Sequence, residues 1–196
     1  STMIQTLIEY IATKRVMLHA DGVEFLQSVF RYRKFRKNQY ILQQGDEAKY
    51  ETYMISGLRR TYEVDDNGQE HVISFNPEDH WIGDLCSFYT GTPTYLNVDC
   101  LEETEVFQIT HPNLEKLFIE VPKMNIFYRI LYRNSIIAYN KRVGSALSKT
   151  ALERYYEFQE HFPLIEQRVP NHQIASFLGI TPQSLSRLRK QAMEKK

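Results

Sequence analysis

The run NHQIASFLGITPQSLSRLRK, residues 171–190, decides how this chain is to be read. It has the form of two helices joined by a tight turn. Asn171 stands where a side-chain cap would open the first helix. Ala175 is small where a second helix must cross closely. Gly179 ends the first helix, because the turn needs a left-handed residue and glycine has no Cβ to clash. Thr181 is placed to cap the second helix, and Pro182 suits its first position, where no amide donor is required. Ile174, Leu178, Ile180, Leu185 and Leu188 are the apolar residues that lock two such helices at a steep angle. With these turned inward, the second helix presents Pro182, Gln183, Ser186, Arg187 and Lys190 outward, with Ser184 close to the same face. Gln pairs bidentately with adenine, and Arg pairs with guanine or a phosphate. Hydroxyls and a helix N-terminus suit phosphate oxygens. The expected DNA-binding set is therefore Thr181, Pro182, Gln183, Ser184, Ser186, Arg187 and Lys190. A plain helical hairpin with a basic outer face is the bland alternative. Against it, the small, glycine and apolar positions all fall at helix-turn-helix spacing at once.

The charge distribution points the same way. The 196-residue chain is formally neutral. From Glu166 to Lys196, however, Arg168, Arg187, Arg189, Lys190, Lys195 and Lys196 face only Glu166 and Glu194, so this segment is +4 and the remainder −4. A basic end on an acidic body is a footprint for a polyanion partner. Hydrophobic residues make up 42% and charged residues 24%, as in an ordinary folded protein. No apolar run approaches the ~20 residues of a membrane span, and Ser1 to Lys14 lacks the pattern of a signal peptide. Ser1 and Thr2 precede Met3 and are left out of the functional reading. Cys86 and Cys100 are too few for a disulfide framework or a four-cysteine metal cluster within one chain. A reducing cytoplasm is the default expectation.

Upstream of the helical pair the texture changes twice. The first 30 residues read as two helices, the second opening at Asp21-Gly-Val-Glu24 with Asp as cap. From Arg31 to Thr110, short apolar-aromatic runs alternate with turn signals. The expected strands are Gln39–Gln43, Thr52–Ser56, Leu58–Val64, Gln69–Phe75, Tyr95–Leu101 and Thr104–Ile109. Asn67-Gly68 is a strong hairpin signal, because both residues tolerate positive φ. Such spacing predicts an antiparallel barrel or roll. Thr110 is placed to cap a short helix through Glu120. A helix of roughly 22 residues, about 33 Å long, then runs from Pro122 to Gly144. Along it Phe127, Leu131, Asn134, Ala138 and Lys141 recur at coiled-coil spacing, which suits a dimer seam with Asn134 setting register. The alternative is packing on its own domain. Ala151–His161 is a further amphipathic helix through Leu152, Tyr155, Tyr156 and Phe158.

Taken together these features resemble the Crp/Fnr family of bacterial regulators over almost the whole length. The β region with Gly45-Asp46, Gly57 and Gly68 resembles the family's cyclic-nucleotide-binding roll. Trp81-Ile-Gly-Asp-Leu85 resembles the start of its phosphate-binding cassette, and Pro122–Ser148 its dimerisation helix. Arg168–Lys190 resembles members from the Bacteroidetes. The resemblance implies an α+β protein with a jelly-roll sensor domain (1–120), a dimerisation helix (121–148) and a winged-helix-type helix-turn-helix domain (149–196). It also implies a homodimer on a palindromic site of double-stranded DNA, RNA polymerase as a further partner, and an effector pocket in the roll. That pocket would draw on Gly83, Asp84, Leu85, Cys86, Thr94 and Tyr95.

The departures from the family are specific. Cyclic-nucleotide binders carry Arg-Ser about eleven residues after the cassette glycine. Here that position holds Thr94-Tyr95, and no arginine lies between Gly83 and Leu117. A buried phosphate without a cation is costly to desolvate, so control by cyclic AMP is not expected; Arg59 or Arg60 on a strand would be a remote substitute. Asp84 stands for the usual ribose-holding glutamate. Pro182-Gln183 replaces the family's Arg-Glu reading pair, while Arg187 keeps a basic position. The oxygen-sensing branch needs an N-terminal cysteine cluster that is missing here. His19, His71, His80 and His111 are scattered and give no reason to expect a haem or any other cofactor. Cys86, inside the pocket segment, is expected to be a buried, inert thiol, with a redox role as the alternative. An effector other than a cyclic nucleotide, or none, is the first reading; a small-molecule sensor with vestigial DNA binding is the second. An enzyme of the cupin type is disfavoured, since no His-x-His pair, Gly-x-Ser-x-Gly, P-loop or His-Glu-x-x-His motif occurs.

Overall fold

A computed structural model describes residues 2–195. Lys196, counted above in the basic end, lies outside them. The chain divides into two compact units, residues 1–61 with 75–134, and residues 62–74 with 135–196.

The first unit opens with α1 (Thr2–Thr13) and α2 (Ala20–Val29). His19, not Asp21, holds the cap position of α2 and makes no side-chain cap; Asp21 sits in the first turn, where its charge still suits the helix dipole. The strands are β1 (Arg31–Phe35), β2 (Tyr40–Leu42), β3 (Tyr50–Ser56), β4 (Arg59–Val64), β5 (Glu70–Asn76) and β6 (Trp81–Ile82). After α3 (Leu85–Thr90) come β7 (Asn97–Cys100) and β8 (Thr104–Thr110). They form two four-stranded sheets, ordered β1-β8-β3-β6 and β2-β7-β4-β5. The expected roll is present, with β1 and the two-residue β6 added to the strands read from the sequence.

Alternation along β3 and β8 sorts the interior. Tyr53 and Phe107 are opposite each other in the ladder and join the core formed with the helices. Their neighbours Met54 and Val106 belong to a second cluster with Phe35 and Cys100. Successive residues on a strand point to opposite faces, so Thr52 and Gln108, also paired in register, share the face of Met54 and Val106.

Thr110 caps α4 (His111–Glu120) by accepting the Asn113 amide at 3.3 Å. The long helix α5 (Lys123–Ser148) runs through Gly144 rather than ending there. Met124, Phe127, Tyr128 and Leu131, at helical spacing, are buried in the core with α1, α2 and α4. Phe127 and Leu131 therefore face their own roll and are not free to form a seam. The exposed large apolar residues of α5 are Ile126, Ile136, Ile137, Tyr139, Val143 and Leu147. The apolar stripe thus changes face along the helix.

The second unit contains the β4–β5 hairpin tip and α6 (Ala151–His161), α7 (Ile165–Arg168), α8 (Asn171–Leu178) and α9 (Pro182–Glu194). The tip differs from the two-residue turn expected. Gly68 has φ of +79°, while Asn67 does not lie at positive φ. The Gly68 amide donates to the Asp65 carbonyl, the Asp65 amide to the Gln69 carbonyl, and Asp65 Oδ1 accepts the Asn67 and Gln69 amides. This is a longer hairpin loop with glycine alone in the left-handed position, closed by an Asx-type contact.

Thr150 and Glu153 form a capping box on α6. Tyr155, Phe158, Ile165, Val169, Ile174, Leu178 and Leu185 make the small core of these helices. Arg154 donates to the Leu178 carbonyl at 3.0 Å, satisfying an acceptor at the end of α8. Among the described residues, α6 to α9 follow one another without an intervening strand, so no wing is seen beside α9.

Candidate nucleic-acid interface and roll cavity

The turn between α8 and α9 is built as its residues dictate. Gly179 sits at φ +70°, its amide bonds the Ser176 carbonyl, and the Ile180 amide reaches back to the Ala175 carbonyl at 3.0 Å. Those bonds consume acceptors that a helix end would leave open. Thr181 Oγ1 accepts the Ser184 amide at 3.1 Å, and Pro182 occupies the first helical position. Asn171 does not cap α8. Pro170 stands at the cap position without a side-chain bond, and Asn171 Oδ1 instead accepts from Arg189 at 2.7 Å. Arg189, which also lies 4.0 Å from Glu166, is a strut between α8 and α9. Sequence reading counted it only as part of the basic end, because its partner Asn171 lies 18 residues away.

Burial of Leu185 and Ala192 fixes which face of α9 is free. Thr181, Pro182, Gln183, Ser186, Arg187 and Lys190 are exposed and Ser184 is half-buried. The expected set is thus brought together on one face, from the Thr181 cap along α9 to Lys190. Arg187 Nη2 donates to Ser184 Oγ at 3.0 Å, which holds the guanidinium along the helix.

The effector-pocket residues are only partly brought together. A cavity of about 130 Å³ lies within the roll, and Gly83 and Asp84 line it. Leu85, Cys86, Thr94 and Tyr95 do not. Asp84 caps α3, accepting the Ser87 amide, and its other oxygen accepts the buried Thr94 hydroxyl at 2.6 Å. The segment in the family's phosphate-binding place therefore closes on itself. Tyr95 is 77% exposed. Cys86 is exposed, contrary to the expected buried thiol; Cys100 is the buried one, and burial pushes its thiol up. The cavity wall also includes Thr52 and Gln108, which sequence reading did not place there. Of the two arginines named as remote substitutes for the missing cation, Arg59 is the one on the wall.

Arg59 is 1% exposed, and its Nε and Nη2 have no hydrogen-bond partner. Burial lowers its pKa to about 9. Gln108 donates to Thr52 Oγ1 at 3.2 Å and leaves Oε1 unpaired. Elsewhere in the same unit, Glu51 is buried and accepts from Tyr132 at 3.1 Å, and Tyr132 shares a 2.7 Å bond with Tyr89. Desolvation raises the Glu51 carboxyl to about 7, against the opposing bond from Tyr132. Among the described residues no cluster of three or more His, Cys, Asp or Glu is placed to hold a metal, and no helix is long and apolar enough to cross a membrane.

The cyclic nucleotide-binding domain family matches residues 32–120. The fumarate and nitrate reduction regulatory protein of Vibrio cholerae is 27% identical over 175 residues, 83% of this chain and 68% of that protein. The transcriptional activator FnrA of Stutzerimonas stutzeri is 27% identical over 176 residues, 82% of this chain and 69% of that one. Over about four fifths of its length the chain is similar to regulators of the Crp/Fnr family. The solved structure of FixK2 from Bradyrhizobium japonicum shares the Crp/Fnr fold with a TM-score of 0.70 at 19% identity, covering 85% of this chain and 86% of that chain. A CooA variant from Carboxydothermus hydrogenoformans superposes with a TM-score of 0.71 at 14% identity, over 94% and 84% of the two chains. In this roll the arginine of the cavity wall comes from β4.

Proposed function

We propose that this Crp/Fnr regulator acts as a homodimer on a palindromic DNA site and is not commanded by cyclic AMP. The observation that carries the reading is the free polar face of α9. A rigid, capped helix presents Gln183, Ser186 and Arg187 at its N-terminal half, with Lys190 one turn on along the same face, and this is the chemistry of a major-groove reader. A second copy gives α5 its partner. Ile136, Asn140, Val143 and Leu147 are exposed at four-, three- and four-residue spacing, which suits a two-stranded seam with Asn140 as the polar member. Two α9 helices would then enter successive major grooves roughly 34 Å apart.

The case against cyclic AMP is local. The Thr94 hydroxyl is committed to Asp84, and the 130 Å³ cavity is well below the ~300 Å³ at which pockets for larger organic ligands begin. The sensor, dimerisation and DNA-binding roles are assigned to residues 1–120, 121–148 and 149–196. RNA polymerase, a small effector in the roll and a cytoplasmic location complete the proposal.

The test is to capture fragmented genomic DNA with the purified chain, no effector added, and to titrate the enriched site at two salt concentrations. An enriched palindrome whose affinity falls steeply with salt supports a dimeric DNA reader. Absence of enrichment, with binding no stronger than to random DNA, overturns a reader competent without ligand.

A further inference from the structure

We infer that the roll interior is a binding site for the carboxylate of a compact organic acid, gripped by the guanidinium of Arg59. This deepens the sensor reading above and rests on it for its regulatory meaning, though not for the binding itself.

The argument starts from a contrast between neighbours on β4. Arg60 is paired to Asp99 through two bonds, at 2.9 and 3.0 Å, so its fork is matched by a carboxylate in the usual bidentate way. Arg59 is more deeply buried than Arg60 and has no such partner. Among the described residues no carboxylate pairs with it. The ionisable group that bears on it is the Cys100 thiol, itself neutral because burial pushes it up. A charged group without a partner in a protein interior is strongly unfavourable, and burial correspondingly depresses the Arg59 pKa. Arginine nonetheless remains protonated at neutral pH. The missing partner is an anion.

The cavity states the anion's size and character. Its apolar wall comes from Ile41, Leu42 and Val98. Gln108, from the opposite sheet, contributes a carbonyl oxygen with no donor. A volume of about 130 Å³ is close to that of a dry protein cavity of ~150 Å³ that accepts benzene, so the ligand has a small apolar body. Asp46, Glu47 and Asp84 stand on the wall, with Lys49 as the other cation. This surplus of negative charge favours a monoanion over a phosphate dianion. The planar fork of arginine matches a carboxylate, and the free Gln108 oxygen would accept from a hydroxyl or N–H on the ligand. The site draws its cation from β4 and leaves the self-closed Asp84–Thr94 segment undisturbed.

The test uses the full chain, dialysed free of small acids, with butyrate, benzoate, inorganic phosphate and cyclic AMP as separate probes. Thermal unfolding and calorimetric titration are the readouts, and DNA binding is measured on the same sample without probe. Butyrate or benzoate should raise Tm by roughly 5 °C or more near a hundredfold excess over Kd. Arg59→Met should match or exceed the ligand-free wild type in Tm, since it removes an unpaired charge, and should lose the shift. Arg59→Lys, which keeps the charge without the fork, should bind roughly tenfold more weakly. A shift from neither carboxylate, an equal shift in Arg59→Met, or a response confined to phosphate or cyclic AMP would overturn the site. DNA binding intact beside a failed carboxylate response would leave the proposed function standing; lost DNA binding beside a positive response would do the reverse.

Discussion

The Ser176 hydroxyl on α8 accepts the Val72 amide of the β4–β5 hairpin at 2.9 Å. The same oxygen donates to the Glu70 carbonyl at 3.2 Å. One side chain thus supplies both an acceptor and a donor to the hairpin tip, within the unit that carries α9. Ser176→Ala leaves one backbone donor and one acceptor to water, at a cost of about 1 kcal/mol. Hydrogen exchange at the Val72 amide should accelerate roughly fivefold in the variant; unchanged protection would show that the hairpin is held by other contacts.

Arg187 is exposed, and its recorded side-chain bond is local, to Ser184. Arg187→Ala should therefore change stability by no more than about 0.5 kcal/mol. Specific DNA binding should fall by at least about tenfold if the guanidinium reads a base. A gel-shift titration against the enriched site, beside a melting curve, separates the two effects. Full affinity in the variant would remove α9 from the role of reading helix.

Glu51 should make stability fall as pH rises from about 4.5 to about 7. Its folded carboxyl titrates near 7 because it is buried, above the ordinary value, so the folded state holds a proton that the unfolded state has released. The stabilisation is complete below the unfolded pKa and is lost as pH climbs through the folded one. The full span is about 3 kcal/mol. Glu51→Gln keeps an acceptor for Tyr132 and cannot ionise, so its Tm should be flatter than that of the wild type over this window. Parallel pH profiles for the two proteins would refute the assignment to Glu51.

Gly57, between β3 and β4, lies at φ +97°, and a Cβ there would meet the Glu103 carbonyl and Thr104 Oγ1 at 2.5 Å. Backbone strain of about 1–2 kcal/mol adds to overpacking of about 1–3. Gly57→Ala should thus destabilise the chain by about 3 kcal/mol. At Gly68 a Cβ meets nothing within 4 Å, so Gly68→Ala should cost only the strain, about 1–2 kcal/mol. Urea titrations of both variants check the order, and equal losses would contradict it.

Val143 and Leu147 belong to the proposed seam, and Leu147 is 84% exposed. Val143→Asp should leave the secondary structure unchanged and shift the chain from dimer to monomer in sedimentation. A dimer that survives the substitution would move the homodimer contact away from this part of α5.

The turn from α8 to α9 was legible because its code is local: Gly179, Thr181 and Pro182 act within a few residues of themselves. The roll was legible from its turns and short apolar runs. What failed was whatever depends on distant partners. Heptad spacing placed Phe127 and Leu131 in a seam, but spacing does not say which neighbour fills it, and the roll and its helices took both. Strand β1, Arg-Tyr-Arg-Lys-Phe, reads as polar because most of it is exposed and only Phe35 is buried. Asn171 had the right chemistry for a cap and found Arg189 instead. Arg59 is the clearest case, since a strand sequence gives no measure of how deeply a charge is carried inside.

Trp81 is the chain's single tryptophan, and it packs against Phe30, Tyr53, Phe127 and Tyr128 of its own unit. Its emission therefore reports on one unit alone, while far-ultraviolet circular dichroism, weighted by helix, follows both. A melt recorded with the two signals asks whether the units unfold together, because coincident transitions are the mark of a single cooperative step. The native chain carries this spectroscopic division within itself, with no label and no substitution required.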